Sequence, residues 1–215
     1  MAQTPYQQLE QEFRRLHAFR GAASVLRWDA AVMMPRGSAS VRGEQLAALA
    51  SECHALLTAP KVSSLIERAQ ASESQLEDWQ LANLREMRRE RDRAIATPSA
   101  LVSRLARATA VAEVRWLEAK QENNFELFAP HLEEVVALSR DKAQILSQAL
   151  GISPYDAMID GFSPGFTSAE IDKLFRAISR RLPELIHEAI ELQSRHAPLP
   201  LAGKVSPSKQ RALAI

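Results

Sequence analysis

The stretch YDAMIDGFSPGFTSAEIDKLF, Tyr155 to Phe175, decides the fold. Gly161, Pro164 and Gly165 crowd together in it and break a pattern that is helical on both sides. Helix resumes at once, because Thr167 followed by Glu170 is a capping box: hydroxyl and carboxylate each satisfy a backbone N–H that a new helix would leave unpaired. A tight turn between helices, with no sustained alternation nearby, predicts an all-α architecture.

Working outward, the punctuation repeats. Thr4, Pro5 and Gln7 mark a helix start, and Leu9, Phe13, Leu16, Phe19, Ala23, Leu26 and Ala30 keep three-to-four spacing to about Pro35. A second helix spans about Ser40 to Leu57, and Ala59-Pro60 opens a short third. Leu76, Trp79, Leu84 and Met87 carry a fourth, ending near Thr97-Pro98. Thr97 as cap with Pro98 at the first helical position starts a fifth, closed by Asn123 and Asn124. A sixth follows Pro130 and stops at Gly151, and Ser153-Pro154 begins a short seventh. The eighth starts at Thr167, with Ile171, Leu174, Phe175, Ile178, Leu182, Leu185 and Ile186 on one face and a bend expected at Pro183.

The expectation is an array of about eight amphipathic helices in one helical region, 1–215, with no repeat or low-complexity linker. HAPLPLAG reads as a Pro-rich turn. Ser206-Pro207 then has the form of another helix start with only about two turns left before Ile215, so the region reads as incomplete at its C-terminal end.

Composition excludes more than it assigns. Hydrophobic residues at 46% and charged residues at 25% are ordinary for a globular chain. A net charge of +1 supplies no bulk field for nucleic acid or an anionic membrane, and neither is expected as a partner. The single cysteine, Cys53, makes no intramolecular disulfide, and the opening MAQTPYQQLEQEF has no leader pattern; the reading is a reduced, cytoplasmic protein. No apolar run approaches the roughly 20 residues that cross a bilayer.

Three local patterns imitate active sites. Gly161-Phe162-Ser163-Pro164-Gly165 matches GxSxG, but a nucleophile elbow needs a preceding strand and an N–H on the residue after the serine; Pro164 has none. His187-Glu188 begins like HExxH, yet the fifth position is Glu191 and the second histidine is missing. Glu184 and His187 have the Glu-x-x-His spacing of di-iron bundles without a second copy. LREMRRERDR, Leu84 to Arg93, holds five arginines interleaved with Glu86, Glu90 and Asp92, and reads as a solvated helix face with Glu86 meeting Arg89 or the neighbours of Arg93. Neither catalytic nor metal-binding residues are expected in this chain, and no substrate-binding residue is assigned.

Ordered blocks along the chain carry a resemblance. Trp28, Asp29, Met34, Pro35 and Arg42, with Gln45 and Leu49, form a W-D…M-P…R…Q-L block. Residues 96–136 carry a Pro-Leu-Val-like start, Trp116 in Trp-x-x-Ala, and Phe-x-x-Phe-x-Pro-x-Leu. Tyr155, Asp156, Asp160, Pro164 and Gly165 form a Y-D…D…P-G block. Together these resemble the amino-terminal half of the Taq-type thermostable carboxypeptidases, zinc metallopeptidases of the HExxH class. Val32, Asn124, Phe162 and Ser163 depart from the family's usual residues.

The resemblance implies the N-terminal part of a larger helical metallopeptidase fold, helping to wall a substrate groove. It further implies an enzyme that, when complete, removes C-terminal residues from peptides with zinc and a glutamate, a homodimer being left open. The HExxH motif lies beyond the matched region, so the 215-residue chain alone is expected to be inactive and to carry no cofactor. The competing expectation is a noncatalytic helical interaction or regulatory module derived from such an enzyme. Packing and capping explain the block residues without ligand chemistry: Trp28 and Met34 as core, Asp29 as a cap or paired nearby, Arg42 binding a carboxylate within the fold, Asp156 at a helix start.

Overall fold

Each helix begins where a local hydrogen bond can start it. In the computed structural model, which describes residues 3–196 and 203–214, Thr4 Oγ1 accepts from the Gln7 N–H at 3.2 Å and the Gln7 side chain accepts from the Thr4 N–H at 3.0 Å. This box, with Pro5 at the first position, launches α1 (Pro5–Val32). After a 3-10 turn, α2 (Ala39–Thr58) leads through Ala59 to α3 (Pro60–Ala71). Next come α4 (Asp78–Ala96), α5 (Ser99–Glu122), α6 (Ala129–Leu150), α7 (Pro154–Ile159), α8 (Ser168–Ser194) and α9 (Pro207–Leu213). Among the described residues there is no strand. The Pro-rich turn falls largely on 197–202, outside the described residues.

Helix ends follow the same local logic. Gly151 stops α6 at φ +68° and Asn123 stops α5 at φ +50°, both in the left-handed region that ends a helix while satisfying its last carbonyls. Two boundaries differ from the sequence reading. Thr97 does not cap α5: its hydroxyl donates back to the Arg93 carbonyl at 2.9 Å, completing α4, and Pro98 takes the cap position. The proline restricts Thr97 to extended backbone, which cuts it off from the following helix. Helix α6 starts one residue before Pro130, which occupies its first turn.

Two compact units divide the chain, residues 1–165 and 166–215. In the first, α1, α3 and α4 bury Tyr6, Leu9, Leu65, Ile66, Leu84 and Met87 together. Ala23, Leu46 and Ala110 join α1, α2 and α5, and Leu101, Ala108 and Leu138 join α5 to α6. In the second cluster Ala23 and Ala110 are small enough to let the helices approach around Leu46, and elsewhere between α2 and α5 the Ser51 and Ser103 hydroxyls meet at 2.7 Å. His54 Nε2 on α2 lies 2.9 Å from the Ala94 carbonyl and 2.7 Å from that of Thr97, closing the end of α4 onto α2.

The second unit contains α8 and α9. Helix α8 opens with the expected capping box, Thr167 N–H to Glu170 Oε2 at 2.9 Å, and runs unbroken through Pro183. Within this unit and among the described residues its apolar stripe is uncovered: Leu174, Phe175, Ile178, Leu182, Leu185 and Ile186 are all exposed. No helix among the described residues is long and apolar enough to cross a membrane.

Candidate functional site

Arg42 organises the first family block. From α2 its Nη2 reaches Asp29 Oδ2 at 2.6 Å and Nε reaches Gln45 Oε1 at 2.9 Å, while Nη1 donates to the Leu26 carbonyl. One guanidinium thus ties the last turns of α1 to the start of α2, across the turn containing Pro35. Arg42 is well covered and Asp29 partly so, a setting in which a bonded ion pair holds geometry better than it would on open surface. Arg42 does bind a carboxylate within the fold and Asp29 does pair nearby, each proving to be the other's partner. Trp28, however, is not core: it is 60% exposed. It lies roughly 140° around α1 from the buried Ala23, off the packed face. Met34 is half-buried.

The third block is drawn together by Asp160. Its Oδ2 accepts from Arg93 Nη1 at 2.7 Å and Arg89 Nη1 at 3.2 Å, its carbonyl accepts from Arg89 at 3.0 Å, and its Oδ1 accepts from the Gly165 N–H at 3.2 Å. Arg93 also donates to the Ala157 carbonyl at 3.0 Å, at the end of α7. Ser153 caps α7 by accepting from the Asp156 N–H, which sets that acid in the first turn as expected. The turn through Pro164 and Gly165 is therefore anchored to α4 by one carboxylate. Tyr155 and Trp116 are exposed, the latter with Lys120 5.2 Å from its ring centroid.

This overturns the reading of Leu84 to Arg93 as a solvated face. Glu86 does pair with Arg89 at 2.8 Å, but Arg89, Arg91 and Arg93 are half-buried and spend their donors inside the fold, Arg91 on Ser63 at 2.6 Å. Arg89 and Arg93 stand four apart, hence on one side of α4, and that spacing is the signal in the sequence that points to a shared partner. Charge alternation along the run conceals it.

The look-alike motifs do not assemble. His187 Nε2 faces Glu191 Oε1 at 3.1 Å, both side chains well exposed, and Glu184 is held by Arg181 at 2.7 Å. Among the described residues no three His, Cys, Asp or Glu groups converge as a zinc site would require. Ser163 is exposed in a bonded turn, without a strand before it. Gly165 sits at φ +79°.

These two positions separate chemistry from architecture. Ser163→Ala is expected to change unfolding free energy by less than about 0.5 kcal/mol, as for most surface sites. Gly165→Val forces a β-branched residue into the left-handed region and is expected to cost about 1 to 3 kcal/mol. Denaturant unfolding of both variants checks this; a larger loss at Ser163 than at Gly165 contradicts it.

Known proteins match this chain both in sequence and in the arrangement of its helices. The family model described as carboxypeptidase Taq (M32) metallopeptidase matches residues 8–215. Thermostable carboxypeptidase 1 of Thermus thermophilus is 32% identical over 207 residues, covering 88% of this chain and 40% of its own length. Trypanosoma cruzi metallocarboxypeptidase 1 matches with a TM-score of 0.75 and 36% identity, over 97% of this chain and 42% of that one. The Pyrococcus furiosus carboxypeptidase structure gives 0.73 and 26%, over 99% and 42%. The chain thus spans about two fifths of the length of these relatives. On the sequence match, the helical architecture and its agreement with these structures, the chain belongs to the carboxypeptidase Taq (M32) metallopeptidase family.

Proposed function

We propose that residues 1–215 are the N-terminal helical portion of a longer zinc metallocarboxypeptidase that trims peptides from their C termini, and that this portion is inactive alone. The observation that carries the reading is the family match over 8–215 set against coverage of only about two fifths of the relatives. The uncovered stripe of α8 supports it, since a face of that kind belongs against further protein. In this reading Arg42, Asp29 and Asp160 shape the helical wall beside the substrate, and the metal ligands and catalytic glutamate come from residues outside this chain. Cytoplasmic location and a homodimer are part of the same proposal.

The test compares this chain with a polypeptide extended past Ile215 by its genomic reading frame. After dialysis against zinc, the chain alone is expected to retain no stoichiometric metal and to release no amino acid from a peptide C terminus, while the extended form does both. Turnover by residues 1–215 alone would overturn the inactivity. A stop codon directly after Ile215 would replace the enzyme reading with a noncatalytic helical module.

A further inference from the structure

Helix α6 carries a cation that the fold withdraws from water without giving it a partner among the described residues. Lys142 is half-buried, and burial, reinforced by the like charge of Arg93, pushes its ammonium below the usual lysine range. It makes no hydrogen bond or ion pair among the described residues, although charged groups are seldom buried without one. Arg93 cannot supply that partner and is itself committed to Asp160. The nearby carboxylate, Glu113, is exposed and does not pair with Lys142.

Lys142 lines two neighbouring cavities of about 250 and 430 Å³, which share Arg27, Leu46, Thr97, Val102 and Lys142 itself. Arg27 is also without a hydrogen bond or ion pair among the described residues. Leu101, Leu105, Ala106 and Ala110 make the rest of the smaller cavity largely apolar. The larger of the two has the size usual for small-molecule sites, which combine apolar walls with a few polar groups, and the smaller lies just below that range.

We propose that these chambers bind a small organic acid with an apolar body and no ammonium group, its carboxylate held by Lys142 and Arg27 and its chain against Leu46, Val102 and Leu105. A neutral apolar guest would leave Lys142 unpaired. A guest bearing an ammonium would bring a further positive charge to the side where Arg93 already opposes Lys142. The site lies entirely within residues 1–165.

Octanoate serves as the probe, titrated by calorimetry into the full chain. It is expected to saturate one site, whereas octylamine and free leucine do not bind. Lys142→Met keeps the apolar stem and removes the charge; octanoate affinity is expected to fall about tenfold or more, the usual loss for a charge-assisted hydrogen bond. Arg27→Gln weakens it by a smaller factor. Because Lys142→Met deletes an unpaired charge, its unfolding temperature is expected to stay level or rise. Saturable binding lost in Lys142→Met supports the site. No saturable octanoate binding to the folded wild-type chain, unchanged binding in Lys142→Met, a lowered unfolding temperature in that variant, or leucine bound in preference to octanoate each overturns it.

Discussion

Replacing Asp160 by alanine lowers the unfolding free energy of residues 1–165 by about 2 to 3 kcal/mol, below the full range for a buried ion pair because all three side chains retain some solvent contact. The loss has two parts. Arg89 and Arg93 lose the carboxylate they share and are left as like charges, Arg89 keeping Glu86 and Arg93 only the Ala157 carbonyl, in a region where Lys142 already adds a third cation. The Gly165 N–H also loses its acceptor, so the turn through Pro164 comes off α4. Asp160→Asn keeps an oxygen for Gly165 and drops only the charge, and is expected to cost about half as much. In the double variant Asp160→Ala with Arg93→Met, part of the loss returns because one orphaned charge has gone. Urea unfolding of the set is the measurement. An Asp160→Ala loss under about 0.5 kcal/mol would place the clamp among ordinary surface pairs.

Leu182→Glu on α8 has opposite effects in the two forms of the protein. In the chain alone, where Leu182 and its neighbours on the stripe are exposed, the charge is well solvated and breaks the apolar face, so self-association falls. In the extended polypeptide the same face is expected to be buried, and an unpaired carboxylate placed there costs about 3 kcal/mol or more, enough to remove most activity by unfolding. Sedimentation of the chain, with thermal unfolding and peptide trimming of the extended form, reads both arms. If wild-type and variant chains sediment alike and the extended form tolerates the glutamate, the stripe is not an internal interface.

Residues a few places apart settle the helix boundaries, and those are legible in the order of the amino acids. The capping boxes at Thr4 and Thr167, the left-handed stops at Asn123 and Gly151, and the positive φ at Gly165 arise from hydrogen bonds and backbone sterics over three to five residues. Spacing along the chain records such interactions directly. The family blocks are readable for the same reason, being ordered residue types rather than contacts. Thr97 departs from its expected role because two adjacent helix ends compete for one hydroxyl, and the backward bond to Arg93 wins.

Only the tertiary structure decides which charges are partners. Arg93 and Asp160 stand 67 residues apart and Arg42 and Asp29 13 apart, so their meeting depends on how helices cross, which periodicity does not encode. The same holds for burial: a three-to-four stripe states that one face is apolar, but not whether anything covers it. Trp28 stays in solvent because α1 packs through Leu16 and Ala23 instead, and the stripe of α8 remains open within its unit. Lys142 reverses the case, an ordinary lysine in sequence that helix packing desolvates and leaves unpaired among the described residues.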